Sequence, residues 1–205
     1  MFSFMRSRLS VPEFWDRFAN IKDQIKSAIE RKDQPVALHL FYDLLKKYDD
    51  KLVCQVGVAE EGGLPEIEIS ADGRIDQFRS VIDLVDNAPA FPDFKISAFK
   101  QRLKELPAVG LNDTVEVSPA AIQYQCDFQG DVLRFDIWFD VPADVPEDML
   151  YGLANIFLDC TLGEYDAVAF IGSVDVHHGH SATAQPWESL RAEFDAWLEK
   201  THSQQ

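Results

Sequence analysis

The chain has 205 residues, of which 46% are hydrophobic, and a formal net charge of −16. Length and apolar content fit one globular domain spanning 1–205, or a domain with an appendage, with enough apolar surface for a sizeable core. So acidic a balance argues against binding a phosphate backbone, which needs a basic surface, and against docking on an anionic membrane.

The charge is unevenly placed. Residues 1–51 carry 10 basic and 8 acidic side chains, whereas residues 105–190 carry 15 acidic side chains and Arg134 as the sole basic one, a net of −14. A solvated acidic surface commonly serves solubility. The sharper reading is a docking face for a basic partner protein. Cys54, Cys126 and Cys160 sit in apolar runs without CxxC or His-linked spacing. They read as reduced, buried thiols of a cytoplasmic protein. No run approaches the roughly 18 uncharged apolar residues of a membrane span. Arg6 and Arg8 break the first ten residues, which therefore lack the hydrophobic region of a secretory signal.

In chain order, residues 1–10 read as a frayed lead-in. A helical hairpin is expected over 12–50. Phe14, Phe18, Ile21, Ile25 and Ala28 step by four and three along one helical stripe that Trp15 widens. Asp33-Gln34-Pro35 ends that helix and opens the next, whose face is Leu38, Phe41, Leu45 and Tyr48. His39 reads as a half-buried core histidine.

Residues 52–100 read strand, strand, helix, strand. Leu52 to Val58 is a short apolar run, Glu60 to Pro65 a wet hairpin tip, and Glu66-Ile67-Glu68-Ile69-Ser70 a strict alternation with both isoleucines on one face. Asp72 is placed to cap a helix bearing Ile75, Phe78, Ile82 and Val85, stopped by Asn87-Ala88-Pro89. A third strand follows at Phe94 to Ala98. Residues 103–118 read as a loop, with a brief strand at Val115 to Val117.

Residues 120–178 repeat the ββαβ order. Ile122, Tyr124, Cys126 and Phe128 alternate with polar residues, as do Leu133, Phe135, Ile137 and Phe139. A two-residue turn at Gln129-Gly130 sets Cys126 opposite Leu133, Tyr124 opposite Phe135 and Ile122 opposite Ile137. A helix over 147–162 ends at Gly163. A last strand over 167–178 is expected to be central, because both its faces are apolar up to Ser173. An amphipathic helix over 186–201 closes the chain, with Trp187, Leu190, Phe194, Trp197 and Leu198 as its stripe. The expected class is α+β: a mixed, mostly antiparallel sheet from two ββαβ-like halves, flanked by helices.

Three segments, Phe14-Trp15-Asp16-Arg17-Phe18, Ile69-Ser70-Ala71-Asp72-Gly73 and Leu162-Gly163-Glu164-Tyr165-Asp166, resemble segments of small, uncharacterised bacterial α+β proteins. The resemblance implies a bacterial, cytoplasmic protein and brings no catalytic motif with it.

The densest group of metal-ligating residues is Asp175, His177, His178 and His180. Asp175 and His177 share a strand face, and His180 can reach in from the loop. HxH alone is a sparse pattern, and histidines at a strand end are more often surface. Asp136 and Asp140 flank Trp138 on one strand; paired carboxylates suit acid–base work, but alternation with Arg134 reads as a solvent-facing ladder. There is no P-loop, no dinucleotide fingerprint and no G-x-S-x-G elbow, so no cofactor is implied. The leading expectation is a non-enzymatic protein-interaction or regulatory module for a basic partner. The rivals are a small metal-assisted hydrolase using the 175–180 cluster and a small-molecule sensor with a pocket between helices and sheet.

Overall fold

A computed structural model describes residues 8–58, 63–111, 115–128 and 132–203. The tip of the first hairpin, the Gln129-Gly130 turn and most of the lead-in lie outside these residues. The chain is α+β and divides into two compact units, Met1–Lys100 and Gln101–Gln205.

The first unit opens with α1 (Val11–Glu30) and α2 (Gln34–Tyr48). Their apolar stripes form an aromatic cluster. Phe14 meets Trp15, Phe41 and Tyr48, and Phe18 meets Trp15, Phe41, Phe91 and Phe94, nearly all edge to face. Trp15 keeps its indole N–H satisfied by donating to the Leu84 carbonyl at 2.9 Å. The lead-in is docked rather than frayed at its end: Leu9 is buried and Arg8 pairs with Asp49. On α2 the buried side chains are Ala37, Phe41, Leu44, Leu45 and Tyr48, so the expected Leu38 lies outside the core. His39 is exposed rather than half-buried and pairs with Asp43 one turn on, at 3.2 Å.

Strand β1 (Val53–Val58) runs antiparallel to β2 (Pro65–Ser70), with Ile67 and Ile69 fully buried as the alternation requires. Helix α3 (Phe78–Asp86) then crosses over to β3 (Lys95–Ala98), which lies parallel to β2. Asp72 does not cap the helix. It sits at φ 53° in the turn and binds Lys100 at 3.1 Å, and a short 3-10 turn at Ile75–Gln77 intervenes. That turn rotates the stripe: Phe78, Val81 and Leu84 are buried, while Ile75 is 67% exposed.

The second unit begins with a two-strand ribbon, β4 (Val109–Gly110) and β5 (Glu116–Val117). Strands β6 (Ile122–Cys126), β7 (Leu133–Phe139), β8 (Ile171–His178) and β9 (Gln185–Pro186) form a sheet of order β8-β7-β6-β9. The β6–β7 hairpin pairs Ile122 with Phe139, Tyr124 with Ile137 and Cys126 with Phe135. This is two residues out from a two-residue turn. Since side chains alternate with period two, such a slip leaves every apolar pair on the core side. Facing these strands are α4 (Glu147–Leu162) and, after the 3-10 turn at Trp187–Ser189, α6 (Leu190–His202). Trp187, Leu190, Phe194 and Trp197 are buried in the core.

The expected last strand is shorter and differently placed. Residues 164–170 form helix α5 (Glu164–Phe170), and the strand starts only at Ile171. Gly163, at φ 83° and ψ 146°, turns the chain between α4 and α5 in a conformation reserved for glycine. β8 is an edge strand and not a central one. Its register with β7 jumps at Gly172, because Ile171 pairs with Leu133 but Ser173 pairs with Arg134. This bulge puts Ile171 on the core side together with Val174. Both units thus share one topology: an antiparallel hairpin, a helical crossover, and a third strand parallel to the second. No helix among the described residues is long and apolar enough to cross a membrane.

Candidate functional site

Because β8 lies parallel to β7, the outward residues of the two strands stand side by side. Arg134, Asp136 and Trp138 on β7 are level with Ser173, Asp175 and His177 on β8. On the other flank of β7, Gln125 pairs with Asp136 and Gln123 with Trp138. Every one of these side chains is exposed or half-buried. The opposite face of the same sheet carries Tyr124, Leu133, Phe135, Ile137 and Phe139, all essentially buried.

The expected metal cluster is resolved into separate pairs. His177 Nε2 meets Asp136 Oδ1 at 2.8 Å, and its ring stacks on Trp138 with centroids 4.8 Å apart. His180 Nε2 meets Asp140 Oδ2 at 3.1 Å. His178 follows His177 on the other face, and Asp175 stands level with Asp136, the carboxylate that His177 meets. Among the described residues no three His, Cys, Asp or Glu side chains come together as a group able to hold a metal ion. Asp136 in β7 and Asp140 just past it are separate in sequence from His177 at the end of β8 and His180 in the loop after it, and the parallel pairing joins them.

The loop after β8 is held to the same face. Gly179 turns at φ 81° and donates its N–H to the Phe139 carbonyl at 2.8 Å. Ser181 donates its N–H to Gln123 Oε1 at 3.0 Å. The surface is therefore a half-buried Trp138 set among Asp136, Asp140 and Asp175, with two histidines and one arginine nearby. The charge of the unit matches it: residues 101–205 carry 18 acidic and 5 basic side chains, against 17 and 14 in residues 1–100.

A cleft of about 450 Å3 lies elsewhere in this unit, lined by Lys104, Leu106, Ser118, Pro119, Trp187 and Arg191 among others. Its floor is structural. Arg191 donates to the carbonyls of Leu103 at 2.6 Å and Thr161 at 3.1 Å, and Trp187 Nε1 donates to Thr161 Oγ1 at 2.9 Å. Arg102 acts similarly, binding the Leu162 carbonyl, Asp166 and Asp195 at 2.5–2.8 Å. Burial pushes the Tyr124 phenol up, against the pull of its hydrogen bond to Ser189.

Comparison of the chain with protein-family models, with curated proteins and with solved structures gave no match, so the reading of this face rests on its own residues.

Proposed function

We propose that the protein is a non-enzymatic interaction module whose second unit docks a basic segment of a partner protein on the outer face of the β8-β7-β6-β9 sheet. The observation that carries this reading is Trp138, a half-buried aromatic set among Asp136, Asp140 and Asp175 on an otherwise solvent-facing sheet surface. An aromatic ring supplies contact area at little entropic cost, and its face attracts Lys or Arg. The surrounding carboxylates steer and select a partner of opposite charge. The His–Asp pairs fit this role: each histidine fixes one carboxylate and leaves the neighbouring Asp175 to a partner.

The test is the affinity for a lysine-rich peptide at low and moderate salt, comparing two triple variants. Asp136→Asn/Asp140→Asn/Asp175→Asn removes charge from the proposed face. Asp144→Asn/Glu147→Gln/Asp148→Asn removes the same charge from the segment around the start of α4. Binding should fall roughly tenfold or more between 50 and 300 mM salt and on the first set of substitutions, and much less on the second. Equal losses for both sets, or binding indifferent to salt, would overturn the assignment.

A further inference from the structure

Sheet edges expose unpaired backbone groups, and folded proteins usually blunt them with lysine, proline, very short strands or a covering group. Among the described residues, the larger sheets follow this rule at three edges. β9 is two residues long and contains Pro186. β3 is four residues long and carries Lys95, paired to Glu66 at 2.5 Å. At β1 the Gln34 side-chain amide takes the Val56 carbonyl.

Among the described residues, the edge at β8 has none of these. The strand is eight residues long with neither lysine nor proline, and its only carboxylate is Asp175. The bulge at Gly172 disturbs one end, and Ser173–His178 then runs regularly for six residues, a span of about 20 Å. Ser173, Asp175 and His178 are exposed, Val174 and His177 are half-buried and Val176 is buried, so solvent reaches the outward-facing residues of the strand.

We infer that the free edge of β8 takes up an extended segment of the basic partner as a fifth strand of the sheet. This rests on the docking reading above and names how the segment binds. Strand addition draws affinity from main-chain hydrogen bonds and specificity from alternate side chains. A segment lying along Ser173–His178 sends every second side chain to the outer face, beside Asp175 and the Asp136–His177 pair, where lysine or arginine is favoured. The residues between turn to the side of Val174 and Val176, against which α4 packs, and there apolar side chains are favoured. A second copy of this chain is the poorer occupant: pairing β8 with β8 brings two units of net −13 and two copies of Asp175 edge to edge.

The probe is a seven-residue peptide of alternating lysine and valine, added to the full chain at low salt. Its controls are the same sequence N-methylated at every residue and a scrambled peptide of equal composition. Hydrogen exchange of residues 171–178 is the readout, because strand addition bonds the outward amides and surface adhesion does not. The inference expects alternate amides of Ser173–His178 to slow at least tenfold with the alternating peptide and not with either control. It also expects Asp175→Lys to weaken binding about tenfold. Equal binding of the N-methylated peptide with unchanged exchange overturns strand addition but leaves the docking face standing. No binding of any of the three peptides overturns both. Protection that appears without peptide and grows with protein concentration makes a second copy the occupant and overturns the inference.

Discussion

His177 lies on Trp138 with ring planes 24° apart while its Nε2 holds Asp136 Oδ1 at 2.8 Å. The imidazole is thus fixed on two sides by residues of the neighbouring strand. Trp138→Ala removes the stacking surface and one side of that fixation. Both rings are half-buried, so global stability should fall by about 1–3 kcal/mol, from the lost aromatic pair and the burial that goes with it. Affinity for a lysine-rich peptide should fall about tenfold, and the His177 ring protons should lose their ring-current shift. Thermal unfolding, a peptide titration and proton NMR check the three parts. Unaltered affinity would remove Trp138 from the docking face.

The core beneath that sheet contains a polar contact with no access to water. Trp187 Nε1 donates to Thr161 Oγ1 at 2.9 Å, with Trp187 at 0% and Thr161 at 2% exposure. Trp187→Phe leaves the hydroxyl buried without its donor, and Thr161→Val leaves the indole N–H without an acceptor. Each should cost about 1–3 kcal/mol, with a further loss in the first case from the smaller ring. The double variant should cost less than the two single changes combined, because the second substitution removes a group already orphaned. Urea unfolding of the four proteins completes the cycle, and strict additivity would show that the bond contributes nothing.

Two glycines of α4 and its end should respond in opposite directions. Gly163 has φ 83° and ψ 146°, so Gly163→Ala should destabilise by about 1–3 kcal/mol through backbone strain. Gly152 lies within α4, and an added methyl group there meets nothing within 4 Å. Gly152→Ala should stabilise by about 0.5–1 kcal/mol. Denaturant midpoints of the two variants test the contrast.

What could be read from residues alone was what a short window determines. Alternation in Ile122 to Phe128 and Leu133 to Phe139 located both strands and their buried faces, since a period of two is a local property. The same periodicity conceals the register, because a slip of two residues preserves it, and the pairing here is two residues from that of a tight turn. Residues 167–170 read as the start of the last strand, yet belong to α5. β7 begins at Leu133, opposite Ile171, so the pairing of β8 with β7 starts there, and Gly163 has already turned the chain. The candidate site was legible only in pieces. Asp136, Asp140, Trp138, His177 and His180 were all conspicuous, but their pairing depends on which strand lies beside β8. That is a non-local fact, which the ββαβ order implies only once each half is seen to place its third strand parallel to its second. His39 departs from expectation for a simpler reason. The buried side of α2 is Ala37, Phe41, Leu44, Leu45 and Tyr48, and both His39 and its apolar neighbour Leu38 lie off it.

Cys54, Cys126 and Cys160 are half-buried rather than buried. Cys54 and Cys126 should make stability fall in the alkaline range. Burial pushes the Cys54 thiol up to about 12. Burial also pushes Cys126 up to about 12, against the lowering effect of its backbone hydrogen bond to Arg134. In the unfolded chain a thiol ionises near 8.5, roughly its ordinary value. Between these values the unfolded state has released protons that the folded state still holds, so raising the pH favours unfolding. The contribution is fully present below about pH 8.5 and is lost progressively as pH rises towards 12. Unfolding midpoints should therefore fall between pH 8.5 and 10.5, and the fall should be shallower in Cys54→Ala/Cys126→Ala, even though that variant starts from a lower midpoint because two half-buried side chains are cut back. In the same window both thiols should react with iodoacetamide far more slowly in the folded protein than in urea, since the thiolate is the reactive form. A slope with pH that is unchanged in the double variant would assign the alkaline loss to other groups, with the Tyr124 phenol, also pushed up by burial, as the first to examine.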